Sequence, residues 1–285
     1  MSTQITTAFV NQFSNNITLL SQQRGSRLRS AVREESVTGE KGFFDQVGQV
    51  AAIKRTSRHA DTPLVETPHS RRMVTLETYE WAELVDDSDK VKMLADPTST
   101  YAQAGAGAIG RSIDDEIIAA ATGSASTGKT GSGSQALTKT IANGSADLTV
   151  AKLLEAKELM DESDVDPSIP RYIAVSPDQI TALLNTTEVK SSDFNTVKAL
   201  AQGQLNSFCG FQFLTSNRLS KTGNIRKCFA WAQDGIVLGV GKDVMARIEE
   251  RADKSYSTQV FYCASFGSTR MEEEKVVSID CDESA

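Results

Sequence analysis

The sequence predicts an α+β fold with one long helix and several strands that do not alternate regularly with helices. Apolar residues recur every four positions from Tyr101 to Ile117, the spacing of one helix face. Residues 43–54 and 72–81 are strand-like and are joined by a charged, turn-rich segment, a pattern typical of a hairpin. Further strand-like stretches fill the last 60 residues or so. Together these observations predict a mixed fold with a projecting hairpin.

The first 75 residues differ from the rest in charge. They carry ten basic and six acidic residues, a net charge of +4, whereas residues 76–285 carry 20 basic and 31 acidic residues, a net charge of −11. Residues 1–38 are polar without a sustained apolar period, which predicts an arm with at most one short helix. Its arginines lack interleaved aromatic residues, so contact with an acidic neighbouring copy or nonspecific contact with a polyanion is favoured over sequence-specific nucleic-acid binding.

The predicted hairpin spans residues 39–84. Val74, Leu76 and Thr78 alternate with the residues between them, as in a half-buried strand. Two strands alone are marginally stable in water. The hairpin therefore needs a surface to lie on, and a neighbouring subunit can supply one.

The long helix is predicted over residues 97–122, with Asp96 as its cap and Pro97 at its first position. Gly105, Gly107 and Gly110 match a G-x-G-x-x-G dinucleotide motif but fall inside this helix. No strand precedes them, and no acidic residue follows about 20 positions later, so dinucleotide binding is not expected.

A second motif, Gly123 to Thr130, matches the phosphate-binding loop G-x-x-x-x-G-K-[ST]. The Gly/Ser/Thr-rich residues after it do not predict the helix that would face the phosphates. A flexible surface loop to about residue 147 is the favoured interpretation, and a nucleotide-binding protein is kept as an alternative from a different class.

A short acidic helix is predicted near residues 88–95, and a compact α+β region follows the loop. Leu148 and Leu153 form a hydrophobic staple around a helix start at Thr149, whose buried stripe is Val150, Leu153, Leu154 and Met160. Residues 171–176 are predicted as a strand, 177–184 and 194–205 as helices, and 210–214 as a strand. Four strand-like stretches follow, at 236–240, 244–248, 258–265 and 275–279.

No combination of residues indicates catalysis. The only two histidines, His59 and His69, lie in the polar hairpin tip. The four cysteines are widely spaced without a C-x-x-C pair, which favours buried free thiols over disulfides or a zinc site. The 39% hydrophobic and 24% charged composition is that of a soluble protein, and no signal peptide or membrane span is expected. No enzyme activity, cofactor or metal is predicted.

In its order of elements the chain resembles the major capsid protein of tailed bacteriophages, the HK97-like fold shared with encapsulin shells. The local resemblance lies in Tyr101–Ala104, Arg111–Ile118, Leu205–Asn217 and Ala230–Gly239. It implies an N-terminal arm (1–38), an extended hairpin loop (39–84), a peripheral domain (85–147) with the spine helix at 97–122, a central axial domain (148–251) and returning C-terminal strands (252–285).

The resemblance implies a shell of hexamers and pentamers of this chain around double-stranded DNA. The implied partners are a separate scaffolding protein, a portal, a decoration protein and packaged DNA in nonspecific contact, with no membrane. The protein would be made and assembled in the host bacterial cytoplasm and end in the virion. An encapsulin-like compartment is the alternative. From the charge division we expect hairpin cations to reach acidic residues of a neighbour: Lys54, Arg55, Arg58, Arg71 and Arg72 opposite Glu80, Glu83, Asp86, Asp87 and Asp89.

Overall fold

The computed structural model describes residues 21–59, 61–62, 64–86, 98–185 and 207–284. Its helices are α1 (Thr98–Thr122), α2 (Val150–Asp161) and α3 (Pro177–Asn185). Its strands are β1 (Arg33–Ser36), β2 (Lys41–Val47), β3 (His69–Thr75), β4 (Glu77–Val85), β5 (Ala125–Thr127), β6 (Gly133–Gln135), β7 (Thr140–Ile141), β8 (Arg171–Val175), β9 (Ser207–Phe208), β10 (Phe211–Thr215), β11 (Lys221–Thr222), β12 (Ile225–Ala232), β13 (Ile236–Arg251), β14 (Ser257–Arg270) and β15 (Val276–Asp282). Short 3₁₀ turns lie at Arg29–Ala31, Gln233–Gly235 and Ala252–Lys254.

These residues form two compact units, each assembled from three separate stretches of sequence. The smaller unit is Met1–Ser26, Thr78–Ser112 and Lys242–Ala264, and the larger unit is Arg27–Glu77, Ile113–Gly241 and Ser265–Ala285. Residues 242–251, which the resemblance to tailed-phage capsid proteins assigns to an axial domain, belong to the smaller unit. They form the second part of β13, one continuous strand of 16 residues, which the separate apolar runs at 236–240 and 244–248 did not indicate.

Helix α1 is confirmed almost at its predicted bounds, and its glycines are sites of close packing. A Cβ at Gly105 would come within 2.5 Å of the Trp81 ring and 2.8 Å of the Tyr262 ring. These two rings pack against each other at a centroid distance of 6.2 Å on neighbouring strands β4 and β14. Glycine at this position lets the helix approach the aromatic pair more closely than any side chain would.

The same helix is crossed on another face by the segment before residue 27. A Cβ at Gly110 would lie 2.7 Å from the backbone of Gly25 and of Ser26. Arg111 holds this segment by donating to the carbonyl of Gln23 at 2.8 Å and to the side-chain oxygen of Gln22 at 3.0 Å. Gly105 and Gly110 thus pack against different partners in the smaller unit.

A seven-stranded sheet forms the core of the larger unit. Its order is β7-β15-β12-β8-β10-β9, with β11 added beside β12. β8 runs parallel to β10 and antiparallel to β12, and β12 runs antiparallel to β15. Phe211, Phe229 and Trp231 are fully buried, and the Trp231 indole donates to the carbonyl of Ala31 at 2.9 Å. The predicted strands at 171–176, 210–214 and 275–279 lie in this sheet as β8, β10 and β15, whereas those at 236–248 and 258–265 belong to β13 and β14 of the sheet β1-β13-β14-β4.

Helix α2 begins as predicted, and its first turn anchors it to the sheet. Thr149 caps the helix by accepting from the backbone N–H of Lys152, and the flanking Leu148 and Leu153 are buried. The helix packs against β15 and β7. Leu154, expected in the buried stripe, is instead 53% exposed, because Lys152 takes an inward position and the stripe runs through Leu153, Ala156 and Met160.

Helix α3 has part of the predicted capping box. The side-chain oxygen of Gln179 accepts from the backbone N–H of Ser176 at 3.0 Å, and Pro177 occupies the first helical position. The predicted arm residues before 21, the cap at Asp96–Pro97, the short helix near 88–95 and the helix at 194–205 lie outside the described residues.

The hairpin is shorter than predicted, and its second half changes sheet. β2 and β3 pair antiparallel from Lys41↔Thr75 to Val47↔His69, so the first strand ends at Val47 rather than at residue 54. Beyond this point the partner is Pro68, which has no N–H to donate. The stretch 72–81 is two strands, because β3 joins the sheet β2-β3-β5-β6 whereas β4 lies beside β14. A continuous alternation in sequence does not reveal such a change of partner.

Candidate assembly surfaces

The outer face of the hairpin exposes apolar side chains. Burial alternates along β2, and Phe43 and Val47 on the outward face are 43% and 66% exposed. Four more large apolar residues are exposed on the described part of the connecting loop: Val50, Ile53, Leu64 and Val65. We call these six residues the hairpin surface. Several large apolar side chains exposed on one element are typical of an interaction site.

The predicted cations of the loop are also exposed. Lys54, Arg55 and Arg58 lie on the loop between β2 and β3, and Arg55 donates to the carbonyl of Ser57 at 2.8 Å. This contact is local and orders only the loop itself. His59 next to them has a positive φ of 58°. The structure therefore groups three of the predicted basic residues near the exposed apolar ones.

Arg71 lies on β3, in the pair of strands β2 and β3 from which the loop extends, and we call this pair the base of the hairpin. Its side chain is bound by the opposite strand. Its guanidinium forms a two-pronged ion pair with Asp45, directly opposite on β2, at 2.5 and 3.0 Å. It also lies 5.5 Å from the centre of the Phe43 ring. The hydrogen bond from Arg71 lowers the pKa of Asp45, and the same bond raises the pKa of Arg71. Asp45 is a partner that sequence reasoning missed.

Arg72 is placed differently from the prediction. It is only 8% exposed, on the inward face of β3, and donates to Glu273 at 2.6 Å and to the carbonyl of Met271 at 2.7 Å within the same chain. Because successive side chains of a strand point to opposite faces, Arg71 and Arg72 cannot both face outward. Arg72 is therefore an internal residue, and the expectation that it reaches a neighbouring subunit is corrected.

Arg72 belongs to a buried ion cluster at the end of helix α1. Glu273 also accepts from Arg270 at 3.4 Å, and Arg270 is fully buried. Arg270 donates to the backbone carbonyls of Ala120 and Ala121 in the last turn of α1, and to the carbonyl of Gly123 at 2.8 Å. Desolvation lowers the pKa of Arg270. The cluster holds two guanidinium groups and one carboxylate, so it has an excess of positive charge. The partial negative charge of the helix C-terminus offsets part of this excess.

The predicted acidic residues lie on β4 as far as the structure describes them. Glu80 and Glu83 on this strand and Asp86 just after it are exposed. β4 is the last strand of its sheet, so these carboxylates lie along a sheet edge. Glu80 also lines a groove of about 380 Å³ in the smaller unit with Lys242, Arg247, Glu249 and Phe261. Asp87 and Asp89 lie outside the described residues.

Three arginines between residues 27 and 33 are engaged within the chain. Arg29 binds Glu34 at 2.6 Å, and Arg33 binds Glu35 at 2.6 Å. Arg27 donates to the carbonyl of Thr215 at 2.7 Å. These contacts reduce the charge that this basic region offers to a polyanion.

The two glycine motifs do not form phosphate sites. Gly105, Gly107 and Gly110 lie within α1, and the residues from Gly123 to Thr130 form the short strand β5 and a turn at Gly128, where φ is +89°. β5 pairs with β3 and β6. The next helix starts only at Val150, so no helix N-terminus follows the motif directly. The predicted loop is in fact partly structured as β5, β6 and β7.

The described residues contain no group of His, Cys, Asp and Glu side chains that could hold a metal ion. The four cysteines are free thiols; Cys228, Cys263 and Cys281 are buried, as predicted, whereas Cys209 is half-buried. No helix in the described part of the chain has the length and apolarity to cross a membrane.

Comparison with known proteins identifies the family. A family model described as phage capsid protein matches residues 5–283. The chain belongs to the phage capsid protein family. This capsid protein is a shell-forming structural protein, and the family is not an enzyme class. No curated protein matches it significantly.

Solved structures show the same HK97-like fold despite low identity. The capsid of cyanophage P-SCSP1u matches with a TM-score of 0.78 and 16% identity, over 99% of this chain and 95% of that chain. The acid-stable capsid of Helicobacter pylori bacteriophage KHP30 matches with a TM-score of 0.74 and 11% identity, over 99% and 98% of the two chains. The capsid of cyanophage Pam1 matches with a TM-score of 0.72 and 12% identity, over 98% and 97%.

Proposed function

We propose that this capsid protein assembles in the host bacterial cytoplasm into an icosahedral shell of pentamers and hexamers around the double-stranded DNA of a tailed phage. The observation that carries the proposal is the hairpin surface, six large apolar residues exposed on one projecting element. Head-to-tail contacts between identical subunits close into rings, and each subunit then contributes several modest contacts to one particle.

The hairpin surface is proposed to lie on a second copy of the chain. Transferring its apolar side chains from water into a contact is favourable by about 25 cal/mol per Å² of buried apolar area. The basic residues Lys54, Arg55 and Arg58 fix the direction of docking, because the chain beyond residue 75 is strongly acidic. Their proposed partners are Glu80, Glu83 and Asp86 of the neighbour, together with Asp87 and Asp89. Arg71 is proposed to take part in the same contact while it stays paired with Asp45.

Charge reversal tests the docking. The double substitution Arg55→Glu and Arg58→Glu is expected to prevent closed particles while circular dichroism shows a folded subunit, because both residues lie on an exposed loop. Adding Glu80→Lys and Glu83→Lys should restore particles in electron micrographs. Normal particles from the first double variant would contradict the proposed docking.

The remaining partners belong to the same proposal. A separate scaffolding protein, a portal and a decoration protein would act with the shell, and packaged DNA would touch its inner surface nonspecifically. Purified particles that contain a protein cargo instead of DNA would favour the encapsulin-like alternative.

A further inference from the structure

Both strands of the hairpin are attached at their base to the same short segment of the larger unit. Gln46 on β2 and Arg72 on β3 donate to the carbonyl of Met271, at 2.8 and 2.7 Å. Arg72 also binds Glu273 at 2.6 Å. Both side chains lie on the inward face of the hairpin, opposite the face that carries the more exposed side chains of β2.

Glu273 connects this base to the end of helix α1. One carboxylate oxygen accepts from Arg72 and the other from Arg270. Arg270 in turn donates to Gly123 at 2.8 Å and to the carbonyl of Gln135, on β6, at 2.9 Å. Two buried side chains, Glu273 and Arg270, thus link the hairpin to the helix end and to the sheet edge.

Such a cluster is better suited to fixing geometry than to adding stability. Buried ion pairs often contribute little net stability, because desolvation offsets their attraction, whereas a guanidinium fork specifies direction. The loop beyond Val47 extends at most roughly 36 Å over 11 residues. A tilt of about 10° at the base would therefore move an extended tip by roughly 6 Å, more than the width of a side-chain contact.

We propose that Glu273 is a positioning residue that sets the direction in which the hairpin leaves the subunit, and through it the curvature of the shell. The inference rests on the proposed docking of the hairpin on a second copy. It predicts that a variant in which the cluster is loosened while the subunit stays stable still assembles but changes particle size.

The test separates stability from direction. Glu273→Gln leaves two buried guanidinium groups without a carboxylate, so the melting temperature should fall by roughly 10 °C and few particles should form. The double variant Arg72→Met with Glu273→Gln removes one positive and one negative group, so the cluster keeps its wild-type net charge. The remaining guanidinium of Arg270 still donates to its carbonyl partners, and the variant should regain most of that loss. Its particles should nevertheless show a broader range of diameters in electron micrographs. Glu274→Gln, an exposed neighbour, is the matched control and should give wild-type particles.

Uniform particles of wild-type diameter from the double variant would overturn the inference. If that variant does not fold, Arg72→Lys decides, because it keeps the charge but loses the fork: broadened diameters support the inference and uniform ones overturn it. A failure of the wild-type chain to form closed shells would overturn the proposed function and this inference together, whereas uniform shells from every variant overturn only the inference.

Discussion

Replacing Gly110 by alanine should detach the segment that crosses helix α1. The added Cβ would lie 2.7 Å from the carbonyl carbon of Gly25, 2.7 Å from the nitrogen of Ser26 and 2.8 Å from the Cα of Gly25. All three are backbone atoms, so no side chain can swing aside. Relief requires the segment to move by roughly 0.7 Å or more, a typical overpacking strain.

The size of the effect follows from two opposing contributions. Overpacking costs about 1–3 kcal/mol, and replacing glycine by alanine within a helix contributes about 1 kcal/mol of stability. We expect a net loss of up to about 2 kcal/mol in the free energy of unfolding. Trypsin should also cleave faster after Arg24, because the displaced segment is more accessible.

The matched control lies on the other side of the same contact. A Cβ at Gly25 meets nothing within 4 Å, so Gly25→Ala should be neutral or slightly stabilising in urea unfolding. If Gly110→Ala were as stable as wild type and as resistant to trypsin, the close approach of segment and helix would be wrong.

Three further predictions concern the larger unit. Lys152 donates to the carbonyls of Asn143, Ala146 and Asp280 at 2.7–2.9 Å, so Lys152→Met should lower the free energy of unfolding in urea by about 2–4 kcal/mol. The control Lys157→Met, at an exposed position, should change it by less than about 0.5 kcal/mol. Equal effects of the two substitutions would contradict the role of these bonds. The hydrogen bond from Arg226 lowers the pKa of Glu283 to about 2, so its contribution is complete above the ordinary pKa of 4.5 and is lost as the pH falls toward 2. Glu283→Gln should therefore lower the melting temperature at pH 7, with the difference from wild type shrinking below pH 4.5; a constant difference would refute this. ATP with Mg²⁺ should leave the melting temperature unchanged in wild type and in Lys129→Ala, and a shift abolished by the substitution would restore the nucleotide-binding interpretation.

The sequence predicted those elements whose residues interact locally. Helix α1, the start of α2 at Thr149 and the buried strands of the larger unit follow from periodicity and capping, which depend on neighbours within a few positions. The same reasoning placed Gly105 and Gly110 inside a helix rather than in a phosphate loop. It could not name Trp81 or Gly25 as the groups that require glycine there, because those contacts join distant parts of the sequence.

The base of the hairpin shows where sequence reasoning failed. Arg71 and Arg72 are chemically alike and adjacent, yet one is half-exposed on the outer face and the other is buried against Glu273. Only the register of β3 decides which of them faces inward. Glu273 itself lies in an acidic triplet that resembles a solvated surface, and its two arginine partners are 201 and 3 positions away. No local pattern marks such a cluster.

Electron microscopy of the purified capsid protein shows whether the hairpin surface builds a shell. We expect closed shells of uniform diameter, because each subunit presents a hairpin surface that a second copy covers. Discrete small oligomers, with the apolar residues of the hairpin still accessible, would contradict it.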